Sequence, residues 1–462
     1  MNNLQLNNLQ RSKAFHCRLS SQLAKLSAIA TALLLTACGP DQQTISCAPT
    51  AATAPASKGL TPTESIQLSI LIDGTPSMQG YVNNLPNSRY AKTLQFIDGA
   101  SSSGWTSAKS SVKYYRFGTQ KQAIDRETYV RSQLPAFYQG GVNYSVSRID
   151  AVLNKPAPDR LDIVVTDLYQ KDADVRLVQN LLKDRYLEQG YGVGILAVKS
   201  EFNGTIYDVG LTGQQFNYST AGKSPQRFHP FYVMVLGSYG NIQHYYEQLQ
   251  KNGLDDIEHQ FDVFYPQPVR QVSVLDANAT QALPKTIQQP KALNNGTVAV
   301  RKKSPSDPVQ FFALTRNTTA EPFSTQVAYT PLPHTLPIQP QEIGLTTLAE
   351  RYQSKAKGFQ PLQTDAFQLK NWQVKDNTLQ FQAQVQADKL EKSIYRFTFE
   401  AKPTELQEPD WWKAWTATEG SLDGSKTNNL LPFLRGLRLA TTAQMKQQNV
   451  AIARFCYAIQ KN

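Results

Sequence analysis

An α/β fold with a mainly parallel central sheet flanked by helices, followed by a β-rich, sandwich-like C-terminal region, is what this sequence predicts. Two patterns predict it. Over residues 63–252 short apolar runs alternate with amphipathic stretches, as in a sheet covered on both faces by helices. After Gly253 apolar and polar residues take turns between Pro, Asn, Asp and Gly, the period of half-buried strands. A third feature, a basic and then apolar leader, places both regions on an exported chain.

The leader carries Arg11, Lys13, Arg18 and Lys25, with no acidic residue before Asp41, and an apolar stretch over 26–37 that is too short to span a bilayer. It ends in Leu35-Thr36-Ala37-Cys38, which resembles a bacterial lipobox. That resemblance implies a signal peptide over 1–37 and Cys38 as the lipidated first residue of the mature chain, with Gly39 after it directing the protein to the outer membrane of the envelope. An ordinary secretory signal that contains a cysteine is the other reading. Removing 1–37 takes away four positive charges and no negative ones, so the net charge falls from +11 to +7. Lys and Arg are scattered and no nucleic-acid motif occurs, so a solvated basic surface is expected and nucleic acid is excluded as a partner.

Residues 38–62 are rich in Ala, Thr, Pro and Ser and read as a flexible tether. Strands are expected at 66–72, 112–117, 161–166, 192–199 and 231–236, with helices at 90–97, 144–153, 175–187 and 242–249, giving one domain over 63–252. In the second domain, 253–462, strands are expected at 297–301, 309–314, 367–372, 379–385 and 394–399, a short helix at 430–439, and a strand or helix at 450–459. Trp411, Trp412 and Trp415 read either as a stacking platform or as core, with burial the usual fate of such a cluster. Of four cysteines, Cys47 and Cys456 remain to form a possible disulfide; the alternative is that Cys456 is a small buried hydrophobe.

The chemistry concentrates where the first strand ends. Asp73-Gly74-Thr75-Pro76-Ser77 presents one carboxylate and two hydroxyls, and the strand at 161–166 ends in Asp167. Oxygen ligands without nearby His or Cys suit a hard cation and argue against zinc. The set resembles the von Willebrand factor A domain, a Rossmann-like fold, and its metal-ion-dependent adhesion site. There an Asp-x-Ser/Thr-x-Ser element is followed by a Thr on a middle loop and an Asp after a later strand. The resemblance maps Asp73, Thr75, Ser77 and Asp167 onto the family's metal site. At the middle element Val142 stands where the family has Thr, so Asn143 or Ser145 is expected to supply that oxygen. It implies Mg2+, with Mn2+ or Ca2+ as alternatives, and a protein partner bound through its own carboxylate, in an adhesion or scaffold protein rather than an enzyme, held to the membrane by its N-terminal lipid.

Other chemistries are weaker. Ile72-Asp73-Gly74-Thr75 also resembles the haloacid dehalogenase motif, but the nucleophile position holds Leu71. Ala221-Gly222-Lys223-Ser224 lacks the leading glycine of a phosphate loop, with Asn217 in its place. No nucleophile elbow or zinc helix occurs. A metal-assisted hydrolase and a metal-free structural lipoprotein remain the alternatives.

Overall fold

Strand β1 (Asp41–Ile45) opens the folded part of the chain, inside the stretch expected to be a tether. It pairs in parallel with Val298–Lys302, and Ile45 is buried against Val298, Val300 and Cys456. Ile45 gives this short polar segment one apolar side chain to bury, and that fixes its register. The computed structural model describes residues 40–46, 59–168, 172–209, 214–276, 278–315, 318, 321–418 and 420–462. The expected leader with Cys38, expected to be lipidated, and also Cys47 lie outside the described residues. Among the described residues no helix is long and apolar enough to cross a membrane.

The next nine strands are β2 (Gln67–Asp73), β3 (Ser111–Phe117), β4 (Lys121–Ile124), β5 (Arg160–Thr166), β6 (Gly192–Ser200), β7 (Asn203–Val209), β8 (Gln214–Ser219), β9 (His229–Gly237) and β10 (His259–Phe264). Seven of them form one sheet in the order β10-β6-β9-β5-β2-β3-β4, while β7 and β8 make a separate hairpin. Only β3, β2 and β5 are neighbours in parallel; β9 runs antiparallel to both β5 and β6. The sheet is therefore mixed around a parallel core rather than mainly parallel. The connection decides this: between β6 and β9 the chain makes the β7–β8 hairpin and a single 3-10 turn, Pro225–Arg227, with no crossover helix. Parallel neighbours need a long crossover, antiparallel ones do not.

Both faces of this sheet are covered. Ile70, Ile72, Ile163 and Val165 face helices α1 (Arg89–Ser103) and, further on, α5 (Tyr239–Lys251). Leu71, Val164, Ile195 and Met234 point the other way, as alternation along a strand requires, toward α4 (Asp172–Leu182). Helix α1 starts where Ser88 Oγ accepts the Ala91 amide at 3.1 Å. The helix expected over 144–153 shrinks to α3 (Ile149–Val152), with a 3-10 turn at Val142–Tyr144 before it. Ser145 is one cause: its hydroxyl donates to the Val142 carbonyl at 2.9 Å, a local bond that competes with helix.

The C-terminal region consists of largely antiparallel sheets. One four-stranded sheet holds Thr280–Gln281, Phe323–Ala328, Thr378–Val385 and Phe367–Lys375; a six-stranded sheet holds Ile287–Gln288, Val309–Leu314, Ala453–Lys461, Ser393–Pro403, Ile343–Gln353 and Gly358–Leu362. Phe381 stacks on Phe455 at 4.7 Å and Phe367 meets Phe399 edge-on at 5.2 Å, so aromatic side chains fill the space between the two sheets. The expected short helix at 430–439 extends to Leu430–Gln447, and the chain end is a strand. Within that strand Cys456 is buried and disulfide-bonded rather than a free thiol.

Residues 41–462 form one compact unit. The core behind Leu71, Val164 and Met234 runs on without interruption to Phe397, Phe433 and Tyr457. Trp411, Trp412 and Trp415 are buried in it, and the Trp411 and Trp412 indoles both donate to Asp262 on β10, at 2.9 and 2.7 Å.

Candidate functional site

Asp73 is the last residue of β2 and has no exposed surface. Its Oδ1 accepts the Thr75 amide at 3.0 Å and the Thr75 hydroxyl at 2.7 Å, the turn that Gly74 permits. Its Oδ2 accepts the Thr166 hydroxyl at 2.9 Å. Thr166 is the last residue of β5, which lies beside β2 in parallel with Ile72 opposite Val165, so the two strand ends meet by register alone. Ser77 Oγ lies 3.0 Å from Thr75 Oγ1. Burial pushes the Asp73 carboxyl above its usual range, and hydrogen bonds from Ser147, Thr75 and Thr166 oppose that rise.

Asp167 follows at once and is buried as well. Beside it Leu168 has φ 53°, a left-handed conformation that is strained for a branched side chain, while its amide donates to Thr166 Oγ1 at 3.2 Å. Asp73 and Asp167 share an environment. Tyr81, buried under the loop with its hydroxyl donating to the Pro230 carbonyl, is held well above the ordinary tyrosine range by burial first and then by Asp167, Tyr232 and Asp73.

The middle loop contributes a residue other than those expected. Asn143 is exposed, and its carbonyl accepts from the amide and the hydroxyl of Thr119, both at 2.9 Å. Ser145 is exposed and bound to Val142. It is Ser147, two residues on, whose hydroxyl bears on Asp73. The loop reaches this point because it packs onto Gly118 at the end of β3, where a Cβ would come within 2.5 Å of the Asn143 carbonyl oxygen and 2.6 Å of Tyr144 Cα. Asn143 and Ser145 thus spend these groups within their own loops, and Ser147 is the loop residue that acts on the Asp73 carboxyl.

Arg116 is the other residue that motif reading missed. It lies in register beside Ile72, and its guanidinium covers Gly74 so closely that a Cβ there would collide with Nε. Nη2 donates to the Gly74 carbonyl at 3.2 Å and the Gln139 carbonyl at 3.4 Å, and the plane rests on the Tyr144 ring at 3.5 Å.

No family model, no curated protein and no solved structure matches this chain.

A divalent ion fits the donor chemistry. Octahedral Mg2+ with ligands at about 2.1 Å sets neighbouring oxygens about 3 Å apart. The contacts from Thr75 Oγ1 to Asp73 Oδ1 and Ser77 Oγ, 2.7 and 3.0 Å, have that spacing. A hydroxyl that gives its proton to Asp73 keeps its lone pairs for a cation. Among the described residues no group of three or more His, Cys, Asp and Glu is assembled, so such a site consists of two carboxylates and hydroxyls.

His229 and His244 are held by backbone carbonyls. His229 is buried with Nδ1 on the Gly424 carbonyl at 2.6 Å, and burial lowers its pKa to about 4. His244 holds the Gly104 carbonyl at 2.7 Å and packs on Trp105. Lys223, of the phosphate-loop look-alike, lies on the Tyr218 ring.

Proposed function

We propose that this protein is a binding or scaffold protein of a bacterial envelope, anchored by lipid at Cys38, that takes a protein partner through a divalent cation at the Asp73 cluster. One observation carries the reading: hydroxyls from two separate segments, Thr75 and Thr166, hold the two oxygens of one buried carboxylate at the carboxyl end of parallel strands, and Ser147 of the middle loop acts on the same group. Asp73 orients the hydroxyls, while Thr75, Ser77 and Ser147 turn lone pairs to the ion and Asp167 balances its charge. Mg2+ is the expected ion, with Mn2+ or Ca2+ as substitutes; it supplies an electrophilic point to which a partner's carboxylate binds. The fold reading that goes with this is an A-type domain followed by a β-rich sandwich.

A second reading, a metal-free structural protein, draws on the same carboxylate: Asp73 has donors on both oxygens and is fully buried, which suits a pure loop tie. Affinity capture on the immobilised chain separates the two. Under the first reading a partner is retained in Mg2+ and lost both in EDTA and on Asp73→Ala; retention that ignores EDTA assigns the protein to the second.

A further inference from the structure

The guanidinium of Arg116 lies against the same loop that carries Asp73, Thr75 and Ser77, and only one of its nitrogens is in use. Both hydrogen bonds run from Nη2; Nε and Nη1 have no acceptor among the described residues, and Nε is buried. A buried donor without an acceptor costs about 1–3 kcal/mol. The side chain is nonetheless held firmly, between the Tyr144 ring at 3.5 Å and the Phe137 ring at 4.8 Å, with Gly74 and Gly140 leaving room for it. Burial lowers its pKa, and the charge of Asp73 is among the effects that restore it. The group is thus a preoriented cation whose fork is half empty.

Charge points the same way. Asp73 and Asp167 bring two negative charges and Arg116 one positive, so a divalent ion leaves the cluster one positive charge in excess, which a single external carboxylate cancels. The rim mixes apolar and polar side chains: Val142, 80 % exposed, and Val146, 47 % exposed, lie on either side of Tyr144, with Asn143 and Ser145 exposed beside them. A free anion has no use for such a rim, whereas an acidic side chain with neighbours on a protein surface does.

We infer that Arg116 is a second anchor for the partner's acidic side chain, one carboxylate oxygen facing the cation and the other accepting from Nη1 of the guanidinium. This rests on the cation-dependent reading above for its geometry, but it assigns the partner contact to a residue of its own. Arg suits the task because its planar fork matches a carboxylate, which Lys does not.

The test uses the purified full chain and two capped amino acids, N-acetyl-aspartate amide and its neutral counterpart N-acetyl-asparagine amide, followed by ligand-observed NMR in Mg2+ and in EDTA. The wild-type chain is expected to bind the aspartyl probe and not the asparaginyl one. Arg116→Gln is expected to weaken aspartyl binding by about tenfold or more, the loss of a hydrogen bond to a charged group, while the melting-temperature rise in Mg2+ persists. Arg116→Lys, which keeps charge and stem, guards against a folding defect and is expected to bind less well than wild type. Variants that fold, keep the Mg2+ response and bind the aspartyl probe as wild type does would overturn the inference. If wild type ignores Mg2+ yet binds the aspartyl probe through Arg116, the cation reading falls and the anchor stands.

Discussion

The two halves of this molecule keep their polar groups in different places. In the N-terminal sheet Asp73, Thr75, Thr166 and Asp167 are all buried and gather at one end of two adjacent strands. In the C-terminal sheets the charges lie across neighbouring strands and each has its opposite beside it, the buried Glu350 with Arg396 and the half-buried Glu400 with Arg454 and Lys402. Half-buried pairs such as that of Glu400 add little to stability. Buried carboxylates are costly unless hydrogen bonds or a cation answer them, and the proposed cation site rests on their convergence.

Breaking the buried cluster is expected to have the largest effect. Asp73→Ala strands the Thr75 amide and the Thr75 and Thr166 hydroxyls, and denaturant unfolding is expected to show a loss of about 3–5 kcal/mol. Asp73→Asn, which keeps acceptor and shape, is expected to lose less.

Acid is the next probe. The His229 pKa is lowered to about 4 by burial, against about 6.5 in an unfolded chain. The unfolded state binds the proton first, so stability present above pH 6.5 is lost as pH falls toward 4, by about 3 kcal/mol. His229→Phe should flatten the pH dependence of unfolding across that window; an unchanged slope would rule His229 out as its source.

Gly118→Ala sharpens the comparison from the loop side. Its Cβ meets backbone of the 143–144 segment, which cannot swing aside as a side chain can, so a cost of about 1–3 kcal/mol is expected. Because that segment carries Ser147 to Asp73, the thermal response to Mg2+ should weaken as well. Glu400→Gln in the C-terminal sheet is expected to cost only about 1 kcal/mol or less and to leave the Mg2+ response intact. A larger loss there than at Gly118 would remove the distinction between the halves.

Some of this was legible in the sequence for identifiable reasons. Strand β5 and the strand Val309–Leu314 fall within a residue of their expected limits, since one is a continuous apolar run and the other alternates. Strand β9 was expected too, but not its direction, because a strand buried on both faces reads alike in a parallel or antiparallel neighbourhood. Asp73 and Asp167 both follow apolar runs, and register brings those runs together. Ser147 lies past the stretch 140–145 that the family pattern singles out, so nothing marked it. Arg116 was hidden because nothing in a strand pattern says that its side chain folds over Gly74. Thr166 had a signal that went unused, a hydroxyl at the last position of a buried strand.

The most direct test of the account is electron paramagnetic resonance of Mn2+ added to the purified chain. One bound Mn2+ per wild-type molecule, displaced by Mg2+ and absent in Asp73→Ala and Asp167→Ala, is the predicted result. A wild-type spectrum of free aqueous Mn2+ alone would contradict it.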